Sequence, residues 1–352
     1  MDAKSQESGD KITRRDFIRI GAAGAAMVGA GGSACSKAEK AEKPVGEAVV
    51  PKKKLGKTQM FASILAMGGG SALSMVKNDD DAIALIDLAR RKGINYFDTG
   101  ASYGEGKSEE RFGMALAPYR KEIYLSTKYG PEETPDELMR RFETSLKRFR
   151  TDYIDNANMH GLTKPEDAET MFSSGALETL VKLKEQGVLK NIGASAHRPE
   201  PVVAAIKRFQ FDVLLVATNA SRSPWVEEFE GPAISSFEDE AIAQANEQGV
   251  GLWAFKVTGQ RRLIQRQDEP HKAPGSELIR YGFSLPVHGV VLGMSTPEHV
   301  ASACEIAAGF TPMTEEEMRY WNERLAPSAT AATLDYLRPG YVDDGGWRAH
   351  LA

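Results

Sequence analysis

From residue 52 onward, strand-like apolar runs alternate with amphipathic helical stretches, and this alternation limits the fold more than any single motif. Residues 55–66 hold a turn at Gly56-Lys57 and an apolar run ending in Met67-Gly68-Gly69-Gly70. Further strands are predicted over 94–97, 122–127, 153–159, 190–194, 211–217, 251–255 and 288–292. Between them lie helical patterns. One starts at Asp79-Asp80-Asp81. Another opens on the capping box Thr134-Pro135-Asp136-Glu137 and repeats Leu138, Phe142, Leu146 and Phe149. Others cover 177–186, 202–209 and 238–246, one ends near Phe283, and the last opens at Thr296-Pro297. Parallel strands need crossovers of a dozen or more residues, which helices supply. No Gly-x-Gly-x-x-Gly follows the first strand, so a closed (β/α)8 TIM barrel is favoured over a doubly wound sheet. An N-terminal hairpin, an extra C-terminal helix over 314–324 and a Gly/Pro-rich C-terminal arm complete it. The expected division is a barrel at 52–326 and an arm at 327–352.

The ends of the chain have a different composition. Thr13-Arg14-Arg15-Asp16-Phe17-Ile18-Arg19 precedes a small-residue apolar run at 20–34, too short and Gly-rich to span a bilayer. Paired arginines with Phe17 resemble a twin-arginine export signal, expected over 1–35, which implies the export machinery as a partner and a periplasmic or otherwise exported location. Cys35 follows Gly32-Ser33-Ala34, faintly like a lipoprotein box, so membrane attachment is expected only if Cys35 is lipidated. Residues 36–51, rich in Lys, Glu and Ala with Pro44 and Pro51, read as a solvated linker.

A net charge of −5 with no long basic stripe argues against nucleic acid as a partner. Cys35 and Cys304 make neither a disulfide framework nor a metal quartet, and the six histidines hold no His-x-x-x-His pair, so no metal is expected.

The chemistry concentrates in Tyr96-Phe97-Asp98-Thr99-Gly100-Ala101-Ser102-Tyr103-Gly104-Glu105-Gly106-Lys107-Ser108-Glu109-Glu110. An Asp closes a strand, and five residues on a Tyr sits in a Gly/Ser loop. The strand fixes one group and the loop presents the other. Gly106-Lys107-Ser108 is not a nucleotide-triphosphate loop, because Ala101 stands where that motif needs its first Gly. The run resembles the aldo-keto reductases, whose pattern here is close to F-D-T-A-x-x-Y-G-x-G-x-S-E. In a barrel the chemistry lies at the C-terminal strand ends. There the chain supplies Asp98, then Lys128 and His160, which with Tyr103 fill all four family positions in order. The resemblance covers 52–325 and implies hydride transfer with a nicotinamide cofactor. In it Tyr103 gives a proton to a carbonyl oxygen, Lys128 favours loss of that proton, Asp98 holds Lys128, and His160 orients the oxygen.

Strand parity adds a reading of the residues themselves. If His160 faces the interior, so do Asn158 and Asn156. Lys128 likewise implies Ser126, and Asp98 implies Tyr96. Barrel interiors are normally Val, Ile and Leu. A buried polar network is therefore expected beneath the site, with Asn158 bonding toward Lys128 or Asp98.

The cofactor side departs from the family pattern. By resemblance the nicotinamide stacks on Phe255, and Ser195 with Asn219 binds its amide. Ala196 and Leu215 stand where Asn and Gln are usual, with His197 as a candidate substitute. Gly293-Met294-Ser295-Thr296-Pro297 resembles the phosphate loop, Gly293, Ser295 and Thr296 being its candidate contacts, and a helix N-terminus there favours an anion. His299 replaces the usual Arg, and Lys256 is a further phosphate candidate. NADP is the expected cofactor and NAD the alternative. The substrate is a small carbonyl or alcohol, enclosed by loops at 161–174 and 220–237 and by the arm, with Trp225, Phe229 and Trp347 as candidate walls. The rival reading is an exported cofactor-binding sensor or interaction protein that keeps the barrel without turnover.

Overall fold

The computed structural model describes residues 49–222, 237–238, 240–267, 269–338 and 341, all within one unit, Glu47–Ala352. Arg14, Arg15, Phe17, Cys35, Trp225, Phe229 and Trp347, with most of the expected linker and part of the arm, lie outside the described residues.

A two-stranded antiparallel hairpin, β1 (Lys52–Lys54) with β2 (Phe61–Ser63), precedes the barrel. Eight strands then form a closed sheet, each parallel to its neighbours: β3 (Leu65–Gly68), β4 (Tyr96–Asp98), β5 (Tyr124–Tyr129), β6 (Ile154–Leu162), β7 (Leu189–Ala196), β8 (Val213–Ala217), β9 (Gly251–Phe255) and β10 (Gly289–Gly293), with β10 pairing back to β3. This is the expected barrel with its hairpin.

The helices are α1 (Ser71–Ser74), α2 (Asp79–Arg91), α3 (Lys107–Leu116), α4 (Pro135–Phe149), α5 (Pro165–Ser173), α6 (Ala176–Glu185), α7 (Pro199–Ile206), α8 (Ala241–Glu247), α9 (Gly275–Ser284), α10 (Pro297–Ala308) and the extra α11 (Glu315–Leu325). In α4 the Thr134 capping box is formed and Leu138, Phe142, Leu146 and Phe149 are buried. A cap of this kind stabilises a helix by about 0.5–2 kcal/mol. Two outcomes differ from expectation. The stretch 161–174, read as a loop, contains α5, started by Pro165 at the first helical position. Strands β5 and β6 run on to Tyr129 and Leu162, so Lys128 and His160 lie inside strands, just before their ends.

The hairpin turn closes the N-terminal end of the barrel. Leu55, Met60 and Ala62 join Tyr96, Val213, Leu215 and Trp253 in one buried cluster. Gly56 has φ +50°, and a Cβ there would meet the Gly251 nitrogen at 2.4 Å, so only glycine lets the turn lie against β9. Full burial of a Leu or Met is worth about 1.5–3 kcal/mol. With this end packed, the other end is left for chemistry.

Candidate active site

Register carries each group to the same place. Asp98 pairs with Ser126 across β4–β5, and Ser126 and Lys128 pair with Asn156 and Asn158 across β5–β6. The Lys128 ammonium lies 2.5 Å from Asp98 Oδ2 and donates to the Thr99 carbonyl at 2.5 Å. Both side chains are buried, so the pair is largely unscreened by water. Tyr103 is 5% exposed. Its hydroxyl stands 3.4 Å from His160 Nε2, and the Lys128 nitrogen is 5.1 Å from its ring centre. The four side chains thus meet at one mouth of the barrel.

Beneath them lies the polar layer. Asn156 and Asn158 are fully buried. Ser126 Oγ donates to Asp98 Oδ1 (2.9 Å) and accepts from Asn156 Nδ2 (3.2 Å) and Asn158 Nδ2 (3.0 Å). Asn156 Nδ2 also donates to Asn158 Oδ1 (3.0 Å), and Asn158 Nδ2 to the Thr127 carbonyl (3.2 Å). Asn158 was expected to bond toward Lys128 or Asp98, and it reaches Asp98 through one intervening hydroxyl, that of Ser126. Lys128 turns its ammonium to Asp98 and Thr99, and Ser126, one register step away, takes the amide instead. Asn158 has room because Gly193 faces it on β7. A Cβ at Gly193 would come within 2.1 Å of Asn158 Oδ1 and 2.7 Å of the Val213 carbonyl oxygen. Tyr96 continues the layer downward, its ring 4.6 Å from that of Trp253 and tilted 40° to it. Burial and the Asp98 charge hold its phenol well above the ordinary tyrosine range.

The cofactor candidates fall in two groups on adjoining strands. Ser195, Asn219, Phe255 and Lys256 sit at or just beyond the ends of β7–β9, and Gly293, Ser295, Thr296 and His299 at the end of β10 and the start of α10. The Ser195 hydroxyl is buried with no hydrogen-bond partner among the described residues. Ala196 and Leu215 are buried and apolar and offer nothing to an amide. Asn219 Nδ2 donates to the Tyr336 hydroxyl (2.7 Å), and its Oδ1 accepts from Ser221 N (3.0 Å) and Ser221 Oγ (2.6 Å). Thr296 caps α10 by accepting from His299 N (3.2 Å), and Ser295 Oγ lies 3.3 Å from His299 Nδ1. An orphan hydroxyl at the strand ends, and hydroxyl and imidazole groups at a helix N-terminus, suit a nicotinamide dinucleotide.

The C-terminal arm reaches this half of the mouth. Tyr336 and Tyr341 lie 6.0 and 5.5 Å, ring to ring, from His197, which is 5.6 Å from Phe255. Lys256, in left-handed backbone at φ +59°, donates to Tyr341 OH (3.1 Å). Tyr341 also lines a cavity of about 320 Å³ with Ser102, Lys128, Arg141, His160, Thr163 and His197. Thr163 falls in the 161–174 stretch expected to enclose the substrate, whereas Arg141 was not anticipated as lining. Sequence reading also missed the tyrosines of the arm, whose positions depend on contacts far apart in the chain. Among the described residues no group of three or more His, Cys, Asp or Glu is placed to hold a metal, and no helix is long and apolar enough to cross a membrane.

Residues 65–278 match the model of the aldo/keto reductase family. The chain belongs to that family. As an aldo/keto reductase it is an NAD(P)-dependent oxidoreductase. The uncharacterized oxidoreductase YqkF of Bacillus subtilis is 25% identical over 297 residues, covering 76% of this chain and 94% of that protein. The holo form of the aldo-keto reductase AKR11C1 of Bacillus halodurans superposes with a TM-score of 0.65 at 23% identity, covering 78% of this chain and 96% of that one. The Bombyx mori aldo-keto reductase AKR2E4, solved in complex with NADP, gives a TM-score of 0.59 at 18% identity, covering 78% and 92%. Residues 4–35 match a twin-arginine signal, described as that of the ubiquitinol-cytochrome c reductase Fe–S subunit.

Proposed function

We propose that this reductase interconverts a small polar carbonyl compound and its alcohol with NADP(H), Tyr103 delivering or removing the proton on oxygen. The supporting observation is the juxtaposition of the Tyr103 hydroxyl with His160 Nε2 at 3.4 Å, above a Lys128–Asp98 pair closed at 2.5 Å. The Lys128 ammonium stabilises negative charge that develops on the phenol oxygen as its proton leaves. Asp98 pairs with Lys128 and keeps it aimed, and Ser126 in turn holds Asp98. His160 donates to the carbonyl oxygen and fixes the face it presents. Acid assistance of this kind contributes about 10²–10⁴ in rate.

When bound, the dihydronicotinamide supplies the hydride. Ser195, Asn219 and Phe255 would hold its ring end. Lys256, Gly293, Ser295, Thr296 and His299 would hold its phosphates. NADP is favoured over NAD by the NADP complex of the Bombyx mori relative, and the Ser295 and Thr296 hydroxyls and the His299 imidazole at the start of α10 offer it hydrogen-bonding groups. The cavity wall favours a hydroxylated substrate such as an aldose, since Ser102, Lys128, Arg141, His160 and Thr163 all present polar atoms.

The domain reading stays part of the proposal: signal at 1–35, linker at 36–51, barrel at 52–326, arm at 327–352. The twin-arginine route carries folded proteins, so the cofactor travels bound to a periplasmic enzyme and leaves it slowly. Lipidation at Cys35 would tether it to the membrane.

The test is NADPH oxidation by the purified protein with methylglyoxal, glyceraldehyde and D-xylose. Turnover in the parent that is lost in Tyr103→Phe, with NADPH binding kept, supports the proposal. Binding of NADPH with no turnover of any carbonyl in a broad panel would favour the sensor reading.

A further inference from the structure

The loop that presents Tyr103 is held by one side chain from a distant helix. Gly104 (φ +59°), Glu105 (φ +55°) and Gly106 (φ +97°) follow one another in left-handed backbone. Such a path is sterically unfavourable for a non-glycine residue, and here Glu105 bears it. The guanidinium of Arg148, in the last turn of α4, fills the concave side of the loop. Its Nη2 donates to the Glu105 carbonyl (2.7 Å), and its Nη1 to the Ala101 carbonyl (3.2 Å) and to Glu109 Oε2 (3.2 Å). Those carbonyls lie two residues to either side of Tyr103. Glu109 is wholly buried, and its other carboxylate oxygen accepts from Thr127 Oγ1 (2.7 Å), one residue before Lys128. A Cβ on Gly106 would come within 1.8 Å of Arg148 Cζ, so the loop is shaped around that group.

We propose that Arg148 is a positioning residue for the reaction. Its planar fork clamps both flanks of the Tyr103 turn and, through Glu109 and Thr127, ties that turn to the strand carrying Lys128. The inference rests on Tyr103 as the proton donor. A lysine could not replace the fork, because one ammonium cannot span two carbonyls and a carboxylate in that geometry.

The experiment compares the parent with Arg148→Ala/Glu109→Gln, Arg148→Lys and Tyr103→Phe, with NADPH and glyceraldehyde as the probe pair. The paired substitution avoids stranding the buried Glu109 charge, so the barrel stays folded. In it, amide exchange across 101–106 is expected to speed up about tenfold or more, while α4 at 138–149 exchanges as before. The kcat should fall about 10²-fold with KM for NADPH within about twofold of the parent, as expected for a displaced proton donor beside an intact cofactor site. Arg148→Lys should recover only part of the loss. Unchanged exchange across 101–106 overturns the proposal, and that arm needs no substrate. Faster exchange with kcat within about twofold of the parent also overturns it. Full turnover in Tyr103→Phe would instead remove the underlying reading of the site.

Discussion

Replacing Ser126 by Ala tests whether the polar layer supports the charged pair above it. Ser126 Oγ makes three contacts, donating to Asp98 Oδ1 and accepting from two amides. Each amide nitrogen keeps a second acceptor: Asn156 Nδ2 has Asn158 Oδ1, and Asn158 Nδ2 has the Thr127 carbonyl. The loss therefore falls on Asp98. A hydrogen bond to a charged group contributes about 1.5–3 kcal/mol, so Ser126→Ala should cost about 2–3 kcal/mol. Asp98→Asn alone should cost about 3–5 kcal/mol, because it leaves Lys128 buried beside only a carbonyl. In that background the serine donates to a neutral amide, and its removal should cost only about 1 kcal/mol. The cycle is thus expected to be non-additive by about 1–2 kcal/mol in urea unfolding followed by tryptophan fluorescence. Additivity within about 0.5 kcal/mol would show that the serine does not support Asp98, and the argument for the layer would fail.

Other outcomes are expected. His288 is buried against Trp253 and the Ala62 carbonyl, and burial with the nearby Lys53 charge lowers its pKa to about 4. A depressed folded value means stability is full above the unfolded value near 6.5 and is lost as pH falls toward 4. The parent should lose about 2–3 kcal/mol over that window, and His288→Gln should flatten it in unfolding measured at pH 7 and pH 4.5. Burial also pushes the Cys304 thiol up to about 11, so mass spectrometry should find Cys304 unlabelled by maleimide at pH 7.5 until the protein unfolds. Tyr336→Phe should cost about 1–2 kcal/mol in urea, since Asn219 Nδ2 would keep only its 3.4 Å contact to the Lys256 carbonyl.

The barrel was legible because its signal is local and repeated. Each strand–helix unit carries its own period and caps, as at Thr134 and Thr314. Asp98, Tyr103, Lys128 and His160 were legible as candidates through the resemblance of 96–110 to the aldo-keto reductases, and the convergence of strand ends in a parallel barrel said where to look for the last two. Parity gave the inward turn of Asn156 and Asn158, but not the partner that Asn158 takes, which depends on register with the next strand. Helix α5 was missed because Lys164-Pro165-Glu166-Asp167 has a loop-like composition, though Pro at the first helical position was a signal for it. Arg148 was hidden among Lys147 and Arg150, where a basic helix end explains itself through the macrodipole. Its contacts lie more than thirty residues earlier in the chain. Tyr336 and Tyr341 were beyond reach for the same reason, as no local pattern says where an arm comes to rest.

Asn158 and Gly193 also constrain how such a barrel can change over time. A side chain added at 193 meets the amide oxygen and a carbonyl of the neighbouring strand, so that position stays fixed while Asn158 is present. An aliphatic residue at 158 deprives Asn156 of an acceptor while the backbone obstruction from Val213 remains. A lineage leaving this arrangement for an oily interior would have to alter both strands in concert, crossing an intermediate less stable than either end. The two positions are therefore expected to change together rather than one at a time.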